Sequence, residues 1–211
     1  MKNIFSLLIP KDKTGVKSLF PIIIHEYDSF NFKQSEKDLI ECAYEERRND
    51  PVGEEKSNVG GWQSQEIDMR QDDNIITQFI TQEVVSYFQT NRILREGIKL
   101  CFSNCWININ KKGDYNTKHI HGMSDLSGVF YLKVPKDSGN IKFDSPNEYN
   151  QSAEINSYSE DIVRSFDVSA AYVCYPKPGM IFVFPSSLTH CVEVNKSRED
   201  RISVSFNIGL L

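Results

Sequence analysis

The stretch Thr117-Lys118-His119-Ile120-His121-Gly122-Met123-Ser124-Asp125 carries two of the four histidines in this chain of 211 residues. Residues i and i+2 of a strand project to the same face, so a strand running through here presents both imidazoles to one point, as a single metal ion requires. A facial set needs a third ligand. His190, in Phe184-Pro185-Ser186-Ser187-Leu188-Thr189-His190, is the downstream histidine at the start of a new apolar run. Asp125 is the alternative, because it shares the parity of the pair. Gly122 and Ser124 signal a turn before it, however, and it would reach the same metal only from a loop that folds back. An H-x-H pair alone also suits a polar strand face satisfied by water and carbonyls. His25, in PIIIHEYD, stands apart and reads as a surface or interhelix residue.

Eleven residues after His190 the chain runs Arg201-Ile202-Ser203-Val204-Ser205-Phe206-Asn207-Ile208, polar at odd positions and apolar at even ones. Arg201 and Ser203 therefore project together. A guanidinium fork with a hydroxyl beside it is a receptor for a carboxylate, the fork binding both oxygens and the serine donating a third bond. A solvated sheet face would give the same alternation, so the strand by itself leaves the pocket open.

In series, these phrases resemble the non-haem Fe(II), 2-oxoglutarate-dependent oxygenases, whose pattern is H-x-H/D, a distant His, then R-x-S. More narrowly, WININKKGDYNTKHIH, LSGVFYLKVP, SG-x-I-x-F, KPGMIFVFPSSLTH and RISVSFN are similar to a group of such proteins from marine bacteria and their phages. The likeness covers about residues 100–208, with SNVGGWQS (57–64) as a further point in the front half. It implies a double-stranded β-helix (jelly-roll, cupin-like) core, Fe(II) bound by His119, His121 and His190, and 2-oxoglutarate as co-substrate. Arg201 and Ser203 would hold its C5 carboxylate, with Tyr131 adding a hydrogen bond. The activity implied is that of a dioxygenase, an oxidoreductase hydroxylating a small-molecule or peptide substrate with dioxygen. The departure lies at His121, where most of the superfamily has Asp or Glu, so the metal would carry one more positive charge than in a 2-His-1-carboxylate site. Asp125 stays the alternative third ligand.

Two other readings compete. Gly113, His119-Ile-His121 and Asp125, followed by Pro185, His190 and Asn195, approximate cupin motifs, which bind Fe, Ni or Mn without a keto acid; that reading gives Arg201 and Ser203 no role. A non-catalytic β-barrel module is the other.

The elements that must position these residues change character once along the chain. Residues 34–48 and about 73–96 carry apolar side chains at three- and four-residue spacing and read as amphipathic helices. SNVGGWQS between them reads as an ordered loop, with Trp62 in the core. From about residue 99 the chain becomes short β-type runs: KLCFSNCWINI, SGVFYLKVP, NIKFDS, AAYVCYP, GMIFVFP, HCVEV and RISVSFNI. The expectation is a mainly β protein with flanking helices, one domain over 1–211 in which 1–98 is mainly helical support and 99–211 is the core with the site. Residues 144–168, rich in Ser, Asn, Asp and Glu, read as the least structured part and, with Trp106 and Asn108, as a pocket wall.

A formal net charge of −5 and a pI near 5.4, without a Lys/Arg-rich block, argue against nucleic acid and anionic membrane surfaces as partners. No long apolar run spans a membrane, and the apolar stretch before Pro10 is too short for a signal-peptide core, so a cytoplasmic location is expected. The five scattered cysteines, odd in number and without a C-x-x-C pair, read as reduced, mostly buried thiols. Substrate identity is open, and a homodimer is compatible with this sequence.

Overall fold

The computed structural model describes residues 19–71, 74–152, 157–166 and 168–211. Two antiparallel sheets face each other. The larger runs in the order β1 (His25–Asp28), β10 (Met180–Pro185), β7 (Leu126–Lys133), β12 (Arg201–Leu210), β5 (Leu100–Asn110) and β3 (Trp62–Gln63), with β4 (Ile67–Asp68) also pairing β5. The smaller runs β2 (Asn58–Val59), β6 (Tyr115–His119), β11 (His190–Val192), β8 (Ile141–Asp144) and β9 (Ala171–Cys174).

Helices α1 (Phe32–Asn49) and α2 (Ile75–Thr90) cover the outer face of the larger sheet. In α2, Ile76, Ile80, Val84 and Phe88 recur every four residues and are buried, which is the stripe an amphipathic helix lays on a sheet. Its start is set by Asn74, whose side-chain oxygen accepts from the N–H groups of Ile76 and Thr77 at 2.9 and 3.0 Å, satisfying two donors that have no partner within the helix. Beneath α1 and α2 lie Ile107, Ile109, Phe130, Leu132, Ile181, Val183 and the even residues of β12.

A second apolar cluster fills the space between the sheets, from Val129, Tyr131, Ile141, Phe143, Phe182, Phe184 and Leu188. Strand β7 shows why both clusters exist: Phe130 and Leu132 point to the helices, while Val129 and Tyr131 point between the sheets. Gly128 on the same strand is required by packing, since a Cβ there would lie 2.2 Å from the ring of Phe206. This two-sheet, helix-buttressed arrangement is the double-stranded β-helix.

Several elements differ from the sequence expectation. The front half, besides its two helices, supplies β1 to β4. Three of these strands are two residues long, too short for a period of two to show. Within 144–168 the described residues form a 3-10 helix over Glu148–Gln151 and helix α3 (Glu160–Phe166), the latter with Arg164 donating to Glu160 one turn earlier. His25 lies on β1 and packs on the rings of Tyr87 and Phe88 of α2, a strand–helix contact and not a surface or interhelix one. Trp62 is buried in the core, its indole N–H donating to the Asp50 carbonyl at 2.8 Å. Of the five cysteines, only Cys105 and Cys174 are buried; Cys42, Cys101 and Cys191 are half-buried. Among the described residues, no helix is long and apolar enough to cross a membrane.

Candidate metal and co-substrate site

Strand pairing closes the 71-residue gap between the histidines: in the β6–β11 ladder His190 lies directly opposite His119. His121 follows two residues after β6 ends, and its backbone N–H donates to the Ser186 carbonyl at 2.9 Å. One ligand nitrogen from each of His119, His121 and His190 can be chosen so that all three lie within 4.8 Å of one another. Asp125 is left out of this cluster. Its carboxylate accepts from the Leu210 N–H at 2.7 Å, beyond the turn that Gly122 and Met123 make.

Each imidazole is oriented through Nδ1. His119 donates from it to the Thr117 carbonyl at 2.8 Å and His190 to the Leu188 carbonyl at 2.9 Å, in both cases two residues upstream. His121 reaches across the fold to Asn207 Oδ1 at 3.0 Å. With Nδ1 occupied, Nε2 is the lone pair each ring has left for a metal. Burial disfavours the charged form of all three rings. It lowers His119, against the Thr117 bond; it brings His121, with repulsion from His119, down to about 4; and it brings His190, with repulsion from both neighbours, down to about 3. The rings are therefore neutral at neutral pH, as metal ligation demands.

Beyond the histidines a narrow slot runs inward between the sheets, lined by Trp106, Asn108, Tyr131, Phe184, Arg201 and Ser203 among others. The register aligns its floor: Ser203 stands opposite Asn108 on one side and Tyr131 on the other, and Arg201 opposite Asn110. Arg201 is 1% exposed. Its Nη1 donates to the carbonyls of Ser138 and Glu193 at 2.6 and 3.2 Å, while its buried Nε has no partner. Burial lowers this guanidinium from its ordinary value, against attraction from Tyr131 and Asp114; the Tyr131 phenol, fully enclosed, is pushed well above its own. Gly139, at φ 89°, makes room for this arginine: a Cβ there would sit 2.9 Å from Nη1 and 2.3 Å from the Glu193 carbonyl.

Outward, the histidines open on a cleft of about 730 Å³ lined by Gln63, Glu66, Asp68, Arg70, Asn104 and Trp106, with Met123 98% exposed at its lip. Trp106 stacks on His121 with ring centroids 5.3 Å apart. None of the described residues of 144–168 lines slot or cleft, so they do not form the pocket wall expected there; residues 153–156 and 167 lie outside the described residues.

Sequence reasoning missed the residues behind His121. Asn207, Ser127, Ser186 and Asn104 hydrogen-bond together there, and only the odd parity of Asn207 on β12 hinted at its side of the sheet.

Comparison with known proteins agrees with this architecture. A family model described as "Putative 2OG-Fe(II) oxygenase" matches residues 104–207, a span that contains the three histidines, Tyr131, Arg201 and Ser203. No curated protein matches. Among solved structures, a prolyl-4-hydroxylase of Pseudomonas putida is similar with TM-score 0.61 at 16% identity, over 89% of this chain and 92% of that one. The viral collagen prolyl hydroxylase of Paramecium Bursaria Chlorella virus-1, in its 2OG complex, gives 0.58 at 16% identity, over 88% and 94%. A Trichoplax adhaerens prolyl hydroxylase in complex with a hypoxia inducible factor oxygen degradation domain peptide fragment gives 0.60 at 11% identity, over 89% and 79%. At these identities the structures speak for the fold, and the family model speaks for the residues upon it: residues 104–207 match the 2-oxoglutarate/Fe(II)-dependent oxygenases, the dioxygenases that use Fe(II) and 2-oxoglutarate.

Proposed function

We propose that this dioxygenase hydroxylates a small-molecule or peptide substrate, with Fe(II) held by Nε2 of His119, His121 and His190 and 2-oxoglutarate lying along the slot to Arg201. The observation that carries the reading is the unpartnered, buried Nε of Arg201 in the same slot that the three histidines line. A buried guanidinium with an idle donor is costly, and a carboxylate is the partner that its planar fork fits. Ser203 and Tyr131 add hydroxyl donors beside it. The donor set also suits iron, because imidazole is a ligand for Fe and the three rings are neutral and aimed by their Nδ1 bonds.

Fe(II) with 2-oxoglutarate and dioxygen supplies the oxidising power, the keto acid leaving as succinate and carbon dioxide. The chain's own residues orient and exclude. Arg201, Ser203 and Tyr131 would hold the far carboxylate, leaving the keto-acid end for the histidine side of the slot. Val129, Ile141 and Phe184 keep the slot dry, where charge interactions are stronger than in water. Trp106, stacked on His121, forms the wall between slot and cleft, and the cleft is the route by which substrate arrives. A peptide is one occupant it accepts, as the Trichoplax enzyme's complex illustrates for that protein. In this reading residues 1–211 act as one cytoplasmic domain, with 1–98 as support for the core.

The test is turnover of 2-oxoglutarate by the purified, Fe(II)-supplied protein, followed as succinate formed and oxygen consumed. Formation that needs both iron and oxygen, and that disappears in His190→Ala and Arg201→Ala, is the expected result. Iron bound without any response to 2-oxoglutarate would favour a cupin-type enzyme. No iron or cobalt bound at all would leave a non-catalytic module.

A further inference from the structure

The third imidazole is held differently from the other two, and the difference has a traceable origin in the open cleft. Glu66 accepts from Asn104 Nδ2 at 2.8 Å. A carboxylate can only accept, so Asn104 must turn its amide nitrogen to Glu66 and its oxygen inward. That oxygen accepts from Asn207 Nδ2 at 3.0 Å, which turns Asn207 Oδ1 to His121. Ser127 donates its hydroxyl to the same Oδ1 at 2.7 Å, with Ser186 2.8 Å behind it. Every bond in the row thus has one direction, set by the charge at its outer end.

We infer that Asn207, at the inner end of the row Glu66–Asn104–Asn207, is the positioning residue that fixes His121 as the Nδ1–H tautomer with Nε2 facing the metal position. His119 and His190 need no such help, since backbone carbonyls two residues away hold them. The row compensates for chain geometry: His121 stands beyond the end of β6, where no ladder constrains its ring. The inference rests on the three-histidine reading for its meaning in catalysis, but the tautomer exists without metal.

The experiment uses the full-length, metal-free protein labelled with nitrogen-15 in its four histidines, observed at neutral pH by two-bond ring proton–nitrogen spectra, with Co(II) titration alongside. In the parent, His119, His121 and His190 should each report protonated Nδ1. Asn207→Leu should turn the His121 signal alone to a tautomer mixture and weaken Co(II) binding by roughly 10- to 100-fold. Asn207→Asp, which still accepts, should restore both. A His121 signal in Asn207→Leu identical to the parent's, or a loss in Asn207→Asp as large as in Asn207→Leu, overturns the assignment. Should Asn207→Leu fail to fold, Asn207→Ser, too short to reach the ring, carries the same expectation and the same refutation. A parent that binds no Co(II) but passes the tautomer test refutes the metal reading and leaves the positioning role standing.

Discussion

The two faces of strand β12 are built from the same ten residues and do opposite work. Ile202, Val204, Phe206 and Ile208 are fully buried against the layer covered by α1 and α2, and nothing on that face titrates. Arg201, Ser203, Ser205 and Asn207 point the other way, into the slot and to the back of His121. The even face pulls the sheet onto its helices by burying apolar area, while the odd face accepts unpaired and desolvated polar groups that cost stability. A polar face can be kept dry in this way only because its reverse side is a strong core. Separating the two in the laboratory is therefore the sharpest examination of the fold's division of labour.

Acid is the broadest probe, because three rings respond together. Their folded-state values lie below the ordinary 6.5, so the unfolded chain binds more protons between 6.5 and about 4. Stability of the metal-free protein should be complete above 6.5 and decline as pH falls toward 4, as read by denaturant midpoints. A variant with all three histidines changed to Asn should keep only the weaker decline contributed by His25, which burial also lowers. An unaltered profile in that variant would place the acid response elsewhere and remove the polar face from the account.

On the core face, Phe206→Ala should cost about 3–5 kcal/mol, the usual range for emptying a buried aromatic site. Its ring fills the space left by Gly128, so the cavity has close walls. Co(II) affinity of the molecules that remain folded should hardly change. If metal binding fell in step with stability, the two faces would not be separable.

On the site face the order of losses is set by charge. Arg201→Ala removes one partner of a buried pair, a cost of about 2–5 kcal/mol, or roughly 30- to 3,000-fold in 2-oxoglutarate affinity. Arg201→Lys should regain part of it, keeping the charge without the fork. Ser203→Ala takes away a single hydrogen bond to a charged group, about 1.5–3 kcal/mol, and should be milder than Arg201→Ala. Calorimetry with the Co(II)-loaded protein reads all three, and undiminished keto-acid binding in Arg201→Ala would relocate the receptor.

How much of this could be read from residues alone depends on the range of the interaction. The parity of β12 was legible because a strand's two faces are written in alternate letters, and both ends of the site lie on such strands. His119 and His190 were legible as chemistry, although their pairing across β6 and β11 was not, since register between distant strands leaves no local trace. The Asn207–Ser127–Asn104 cluster was illegible for the same reason: each side chain is ordinary, and only the fold brings residues 104, 127 and 207 together. Strands of two residues were hidden by their shortness, and the pocket wall expected of 144–168 came from composition, which reports polarity without position.

Asp125 offers the smallest expected effect and the most specific one. By sequence parity it competes with His121, yet its carboxylate accepts from the Leu210 N–H near the end of β12, outside the histidine cluster. One hydrogen bond of a backbone donor to a carboxylate is lost in Asp125→Ala, and water can replace it at this exposed contact, so stability should fall by no more than about 1–2 kcal/mol. Metal affinity should stay at the parent's value. His121→Asp supplies the counterpart, because a carboxylate in that position restores the 2-His-1-carboxylate set and should bind Co(II) at least as well as the parent. The opposite pattern, with Asp125→Ala losing metal and His121→Ala keeping it, would require the turn at Gly122 and Met123 to fold back on binding, and would hand the third ligand to Asp125.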